Sequence, residues 1–254
     1  MKPIVLGGNP LAAGRLPAVC APLVARTREA LAAETAAVAA KRPDLLEWRV
    51  DFLSAIGDPA EVLRAAAAVR AASAGIPILF TRRCQREGGQ PIALDEERVP
   101  ALYEAVAGSG SVDLMDFEMG NEPAHVAGVR AITRRHGLPL VLSFHDFQGT
   151  PADEELAARF AQAHRLGGDV AKVAVMPQSL EDVHRLLGAT LAASRGLPIP
   201  VISMAMGGLG AVTRLCGGVF GSALTFAVGA AASAPGQIPI EEVRAALAVL
   251  QRAT

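Results

Sequence analysis

The chain has 254 residues, 51% of them hydrophobic and 19% charged, with a formal net charge of −1. That balance suits one large domain with a generous core and excludes disorder and collagen-like repeats. Near-neutrality without a block of Lys and Arg also argues against a protein that tracks a nucleic-acid backbone, so small neutral or anionic partners are expected.

The first residues, MKPIVLGGNPLAAGR, break their apolar run with Asn, Pro and Arg15 before a secretory core is complete, so no signal peptide is expected. After this short segment, apolar runs of β-branched character alternate with Ala/Leu/Arg/Glu segments of helical length. The period predicts strands at 18–22, 45–50, 77–82, 112–118, 139–144, 170–174, 200–204 and 223–228. Helices are predicted at 27–41, 59–73, 95–107, 122–136, 151–166 and 180–194, with a short one after Ala211 and a last one at 240–252. Asp58-Pro59 and Thr150-Pro151 each place a capping residue before a proline suited to the first helical position. Gly75, Gly137, Gly167 and Gly196 stand where helices should end.

Eight β/α units without a linker predict an α/β fold, a closed (β/α)8 TIM barrel forming a single domain over 1–254. An open doubly wound sheet is the alternative, but neither GxGxxG nor a GxxxxGK[ST] phosphate loop is present. Residues 215–240 carry no charge and are long enough to span a bilayer, yet their Gly, Ser, Thr, Pro and Gln interruptions favour a buried strand with loops, and no membrane partner is expected. Three widely spaced cysteines, Cys20, Cys84 and Cys216, form neither a disulfide framework nor a metal-ligand spacing. A reducing, cytoplasmic location and no metal are therefore expected.

Polar residues inside apolar strands should be scarce unless paired, because an unpartnered buried charge is costly. Here they recur. In Leu46-Glu47-Trp48-Arg49-Val50-Asp51 the period of two sends Glu47, Arg49 and Asp51 to one face, either as a structural ion pair or as part of a site. The third strand runs into Arg82-Arg83 and then Arg86-Glu87-Gly88-Gly89 on a glycine-hinged loop, and the fourth carries Asp113, Asp116 and Glu118, carboxylates suited to orienting neighbouring cations. His145 is the one histidine of five at a predicted strand end, and imidazole is the default proton carrier near neutral pH. Lys172 is one of only three lysines among 24 basic residues and lies inside the apolar run 170–175. It suits either a salt bridge across the barrel mouth or an amine whose reactivity toward carbonyls is raised by burial and nearby cations. Met206 to Arg214 is read as a glycine-rich turn leading to the short helix, able to hold a phosphate or carboxylate, and Ser233 and Gln237 follow the last strand.

Taken together, LEWRVD (46–51), REGG (86–89), SxHDF (143–147), KVAVMPQS (172–179), MGxLGxxTR (206–214) and SAPGQ (233–237) resemble the type I 3-dehydroquinate dehydratase family, the Schiff-base lyases of the shikimate pathway. The resemblance spans nearly the whole chain, in family order. It implies that Lys172 forms an imine with the C3 ketone of 3-dehydroquinate and that His145 removes the C2 proton and assists departure of the C1 hydroxyl, with Glu87 orienting the histidine ring. It implies Arg214 as the carboxylate anchor, Glu47, Arg49, Arg83, Ser233 and Gln237 as binders of ring hydroxyls and carboxylate, and Phe147 and Phe226 as apolar walls. No metal or organic cofactor is implied, and a homodimer is. A Schiff-base lyase cleaving a carbon–carbon bond of a sugar phosphate, or a silent barrel that only binds a carboxylate metabolite, are the competing functions.

Overall fold

The computed structural model describes residues 1–11 and 16–253; Arg15, part of the expectation about the N-terminus, lies outside them. The chain opens with a hairpin absent from the sequence-based expectation: β1 (Ile4–Leu6) pairs antiparallel with β2 (Asn9–Leu11). Then come β3 (Ala18–Leu23), β4 (Leu45–Arg49), β5 (Ile78–Thr81), β6 (Leu114–Glu118), β7 (Leu140–Asp146), β8 (Val170–Val175), β9 (Val201–Ala205) and β10 (Leu224–Val228), paired in parallel from each to the next as far as β9. β10 returns to pair with β3, and the two-residue β11 (Ile238–Pro239) adds to the end of β10. Between β9 and β10 the ring closes through a bridge of Val201 with Ser222. There the Ala223 N–H donates to the Val201 carbonyl at 2.8 Å, and the Ser203 N–H donates to the Ser222 hydroxyl at 3.1 Å. The parallel sheet is therefore curled into the predicted barrel.

The helices α1 (Arg28–Ala39), α2 (Pro59–Ala72), α3 (Val99–Gly108), α4 (Pro123–Arg135), α5 (Asp153–Arg165), α6 (Leu180–Gly196), α7 (Gly207–Cys216) and α8 (Ile240–Ala253) surround the barrel. The Asp58 cap behaves as expected, its carboxylate accepting the Ala60 and Glu61 N–H groups. Four readings need correction. α3 begins at Val99 after a 3-10 turn over 96–98, because Pro100 fits only the first turn of a helix. α5 begins at Asp153 with Ala152 as its cap, two residues beyond Thr150-Pro151, and three acidic residues fill its first turn. Gly196 is the last residue of α6 and has no positive φ, unlike Gly75, Gly137 and Gly167. Finally, Gly207–Gly210 are the first turn of α7, not a turn ahead of it. Gly210 is required there: a Cβ on it would lie 2.3 Å from the Ala205 backbone, where the helix presses on the end of β9.

Two hydrophobic layers follow from the strand alternation. The outer one, between sheet and helices, holds Trp48, Phe80, Tyr103 and Phe117 in consecutive edge-to-face contacts. The inner one fills the lower barrel with Ala18, Leu45, Leu79, Leu114, Val141, Val170, Ile202 and Leu224, and buried Ile4 of the hairpin joins it from below. Arg82 points away from the interior: its guanidinium pairs with Glu96 and its N–H meets the Tyr103 hydroxyl. No helix among the described residues is long and apolar enough to cross a membrane, and 215–240 fold as the end of α7, loops, β10, β11 and the first residue of α8.

Candidate active site

Two residues above the apolar plug, the same strand faces turn polar. β4 presents Glu47 and then Arg49, β5 Thr81, β6 Asp116 and Glu118, β7 Ser143 and His145, and β8 Lys172, all buried or nearly so. These positions follow from the pleat: on each strand they are two and four residues beyond an inner-plug residue. Glu47, Arg49, His145 and Lys172 line a cavity of about 440 Å3, including space open at its mouth, at the C-terminal ends of the strands, and Thr81, Asp116, Glu118 and Ser143 are buried behind them. Every site residue expected from the sequence lines it: Lys172, His145, Glu87, Glu47, Arg49, Arg83, Arg214, Ser233, Gln237, Phe147 and Phe226. Met204 and Met206 line it as well and were not foreseen, although their spacing from inner-layer Ile202 is the same two-residue period.

The Lys172 ammonium donates to Asp116 Oδ2 at 2.9 Å, lies 3.6 Å from Glu47 Oε1, and sits 4.7 Å from the centre of the Phe226 ring. Asp116 Oδ1 accepts from Arg83 Nη2 at 2.7 Å and from the Ser143 hydroxyl at 2.7 Å. Burial pushes the Asp116 carboxyl upward, but the Arg83 and Lys172 cations outweigh it and hold the group at about 2. Arg83 is largely engaged by protein groups, since Nη1 also reaches Glu118 at 3.1 Å and Ser143 at 2.7 Å. Arg49 is likewise gripped by Asp51 in a bidentate pair at 2.8 Å. Asp113, grouped with Asp116 in the sequence, instead binds Arg70 and the Ile78 N–H at the start of β5, away from the cavity.

His145 stands inside β7, which runs two residues further than the period predicts and pairs His145 with Ala174 of β8. Its Nδ1 lies 2.9 Å from Glu87 Oε2, which also accepts the His145 backbone N–H at 2.9 Å. Burial first, then the Arg83, Lys172 and Arg49 cations, depress the His145 pKa well below its ordinary value, so the ring is neutral at pH 7. Burial likewise raises Glu87 to about 7, with the Arg83 cation opposing the rise. The loop carrying Glu87 is shaped by Gly88 at φ +85°, where a Cβ would fall 2.3 Å from the Phe147 ring.

Arg214, on the last turns of α7, is 1% exposed and, among the described residues, its side chain bonds only main-chain carbonyls, those of Phe226 at 3.4 Å and Pro235 at 3.1 Å. No carboxylate pairs with it among the described residues, and burial lowers its pKa to about 10. Ser233 and Gln237 hold each other: the Ser233 N–H donates to Gln237 Oε1 at 2.9 Å, and Gln237 Nε2 donates to the Ser233 hydroxyl at 3.2 Å. The cavity thus joins a buried amine, a neutral imidazole and a guanidinium free to take an anion.

The family model described as Type I 3-dehydroquinase matches residues 19–254. A curated relative, the 3-dehydroquinate dehydratase of Albidiferax ferrireducens, is 54% identical over 252 residues, covering 99% of this chain and 96% of its own. The crystal structure of 3-dehydroquinate dehydratase from Geobacillus kaustophilus superimposes with a TM-score of 0.94 at 51% identity, covering 99% of this chain and 97% of that one. A type I 3-dehydroquinate dehydratase from Clostridium difficile, solved with covalently modified comenic acid, gives 0.94 at 33% identity over 100% of this chain and 99% of its own.

Proposed function

This chain belongs to the type I 3-dehydroquinase family and is a 3-dehydroquinate dehydratase, a hydro-lyase of the shikimate pathway, and from that premise we propose a lysine-imine mechanism for it. Lys172 adds to the C3 ketone of 3-dehydroquinate, and loss of the carbonyl oxygen as water leaves a protonated imine. That cation is an electron sink: His145 takes the C2 proton, and the C–H electron pair moves into the C2–C3 bond as an enamine. The enamine then expels the C1 hydroxyl, which leaves as water with the proton returned by the imidazolium. Hydrolysis of the conjugated imine releases 3-dehydroshikimate and restores the amine.

The single observation that carries this reading is the cavity shared by Lys172, neutral His145 and uncompensated Arg214. Glu87 Oε2 accepts the His145 main-chain N–H and lies 2.9 Å from Nδ1, an arrangement that suits the tautomer with hydrogen on Nδ1 and a free lone pair on Nε2. Arg214 is suited to a bidentate hold on the substrate carboxylate. Glu47, Arg49, Arg83, Ser233 and Gln237 surround the ring hydroxyls, and Phe147 and Phe226 are the apolar walls. The covalently modified ligand of the Clostridium difficile relative supports covalent chemistry in such a site. The same reading makes the chain a single catalytic domain acting as a cytoplasmic homodimer without metal or organic cofactor. Appearance of the absorbing enone product from 3-dehydroquinate tests the mechanism in variants. Lys172→Ala is expected to abolish turnover while His145→Ala still forms the imine; an active Lys172→Ala enzyme overturns the reading.

A further inference from the structure

The nitrogen of Lys172 faces two different carboxylates. Glu47 lines the cavity and stands 3.6 Å away through Oε1, the oxygen that also accepts from the Thr81 hydroxyl at 3.0 Å. Asp116 is fully buried, does not line the cavity, and lies 2.9 Å from Nζ. Its two oxygens divide the work. Oδ1 is fixed by Arg83 and Ser143, neither of which touches Lys172 through that bond, while Oδ2 receives the lysine. The carboxylate therefore keeps its position whatever happens to the amine.

We propose that Asp116 is the fixed counter-ion of the Lys172 imine, accepting the one N–H the nitrogen retains and so keeping the imine protonated across the working pH range. The inference rests on the lysine-imine reading and deepens it. The proton count supports it. An ammonium with three N–H bonds and a ketone give an iminium with one N–H bond plus water, two protons leaving with the carbonyl oxygen, so the charge on nitrogen is the same before and after. A single carboxylate placed for the ammonium thus serves the iminium. In the enamine the nitrogen is neutral but still holds its N–H, and the contact persists.

Such a counter-ion is needed because a protonated ketimine is far more acidic than the parent ammonium, and only its protonated form draws the C2 electrons. The surrounding charges make Asp116 decisive. Arg83, two residues past the end of β5, is shared between Asp116 and Glu118 of β6, so it compensates each only in part. Arg49 of β4 is occupied by Asp51. From the remaining sides come His145 on β7, held neutral, Cys20 on β3, whose thiol burial pushes up, and the Phe226 ring on β10. Arg83 and the charged Lys172 hold the Asp116 carboxyl at about 2, so it is anionic while the nitrogen carries its charge.

The chain has only three lysines, Lys2, Lys41 and Lys172, so protein labelled with nitrogen-15 at the lysine amine gives a readable spectrum. With saturating 3-dehydroshikimate, the Lys172 nitrogen of the wild-type enzyme is expected to hold its protonated-imine resonance from pH 6 to 9. In Asp116→Asn the same resonance titrates, its midpoint lowered by about 1–3 pH units, a 10- to 1,000-fold increase in acidity. A purely structural role for Asp116 would change the melting temperature and leave this midpoint alone. A wild-type imine that loses its proton between pH 6 and 9, or an Asp116→Asn imine with the wild-type profile, overturns the proposal. Should Asp116→Asn not fold or not form the imine, Glu47→Gln decides between the two carboxylates: an imine midpoint kept within about one pH unit of wild type leaves Asp116 as the counter-ion, and one lowered by about 1–3 units assigns it to Glu47 and overturns the proposal. Absence of any imine resonance at Lys172 in the wild type contradicts the lysine-imine reading instead.

Discussion

The lower and upper halves of the barrel interior are built on the same strand faces and do opposite things. Below, Leu45, Leu79, Leu114, Val141 and Val170 make a dry plug; one pleat higher the same strands offer Glu47, Thr81, Asp116, Ser143 and Lys172. A parallel ladder fixes this step, since Ser143 pairs with Lys172 and Thr81 with Asp116 in register. The lesson is that apolar burial and charge burial are separated along the barrel axis. The plug contributes hydrophobic free energy, and it gives the charged layer a rigid floor on which each ion can find its partner.

That division can be broken from either side. Lys172→Ala in the upper half should lower kcat on the order of 10⁴-fold or more while the fold survives, because the amine is the group that makes the electron sink; enone absorbance with circular dichroism checks both parts. His145→Ala should slow turnover by about 10²–10⁴-fold, as for a typical general base, and leave imine formation in place. Leu79→Ala in the plug should have the reverse character, destabilising by about 2–5 kcal/mol in denaturant titration with little change in kcat per folded molecule.

Arg214→Lys sharpens the comparison more gently, since it keeps the charge and loses the fork. KM should rise about 10-fold with kcat less affected. The smallest effect concerns pH. Glu87 has its folded-state pKa raised to about 7, so its contribution to stability is fully present below its unfolded value and is lost as pH rises through 7. Glu87→Gln should therefore gain about 1–3 kcal/mol in unfolding free energy relative to wild type between pH 5 and pH 8. An acid-side inflection of kcat/KM near pH 7 is expected from Glu87 and should disappear in the same variant, whereas an inflection set by His145 would remain.

Much of this was legible in the sequence because the barrel rests on short-range patterns. Period two places Glu47 and Arg49 inward and Trp48 outward, and a lysine inside an apolar run singles out Lys172. The illegible parts depend on contacts between distant segments. Pairing of Ile4–Leu6 with Asn9–Leu11 gains its stability from the barrel floor, which the local sequence does not reveal. The α7 glycines look like a loop because their low helix propensity is outweighed by packing of Gly210 against Ala205. Likewise, nothing local tells Asp116 from Asp113: one meets Lys172 across two strands, the other Arg70 on the outer layer.

The central claim is that Lys172 becomes covalently bonded to substrate, and borohydride reduction followed by peptide mass spectrometry reads that bond. With 3-dehydroquinate or its product present, the peptide containing Lys172 should gain the mass of one reduced ligand. An enzyme that turns over under the same conditions and carries no adduct, or carries it on Lys2 or Lys41, would contradict the account.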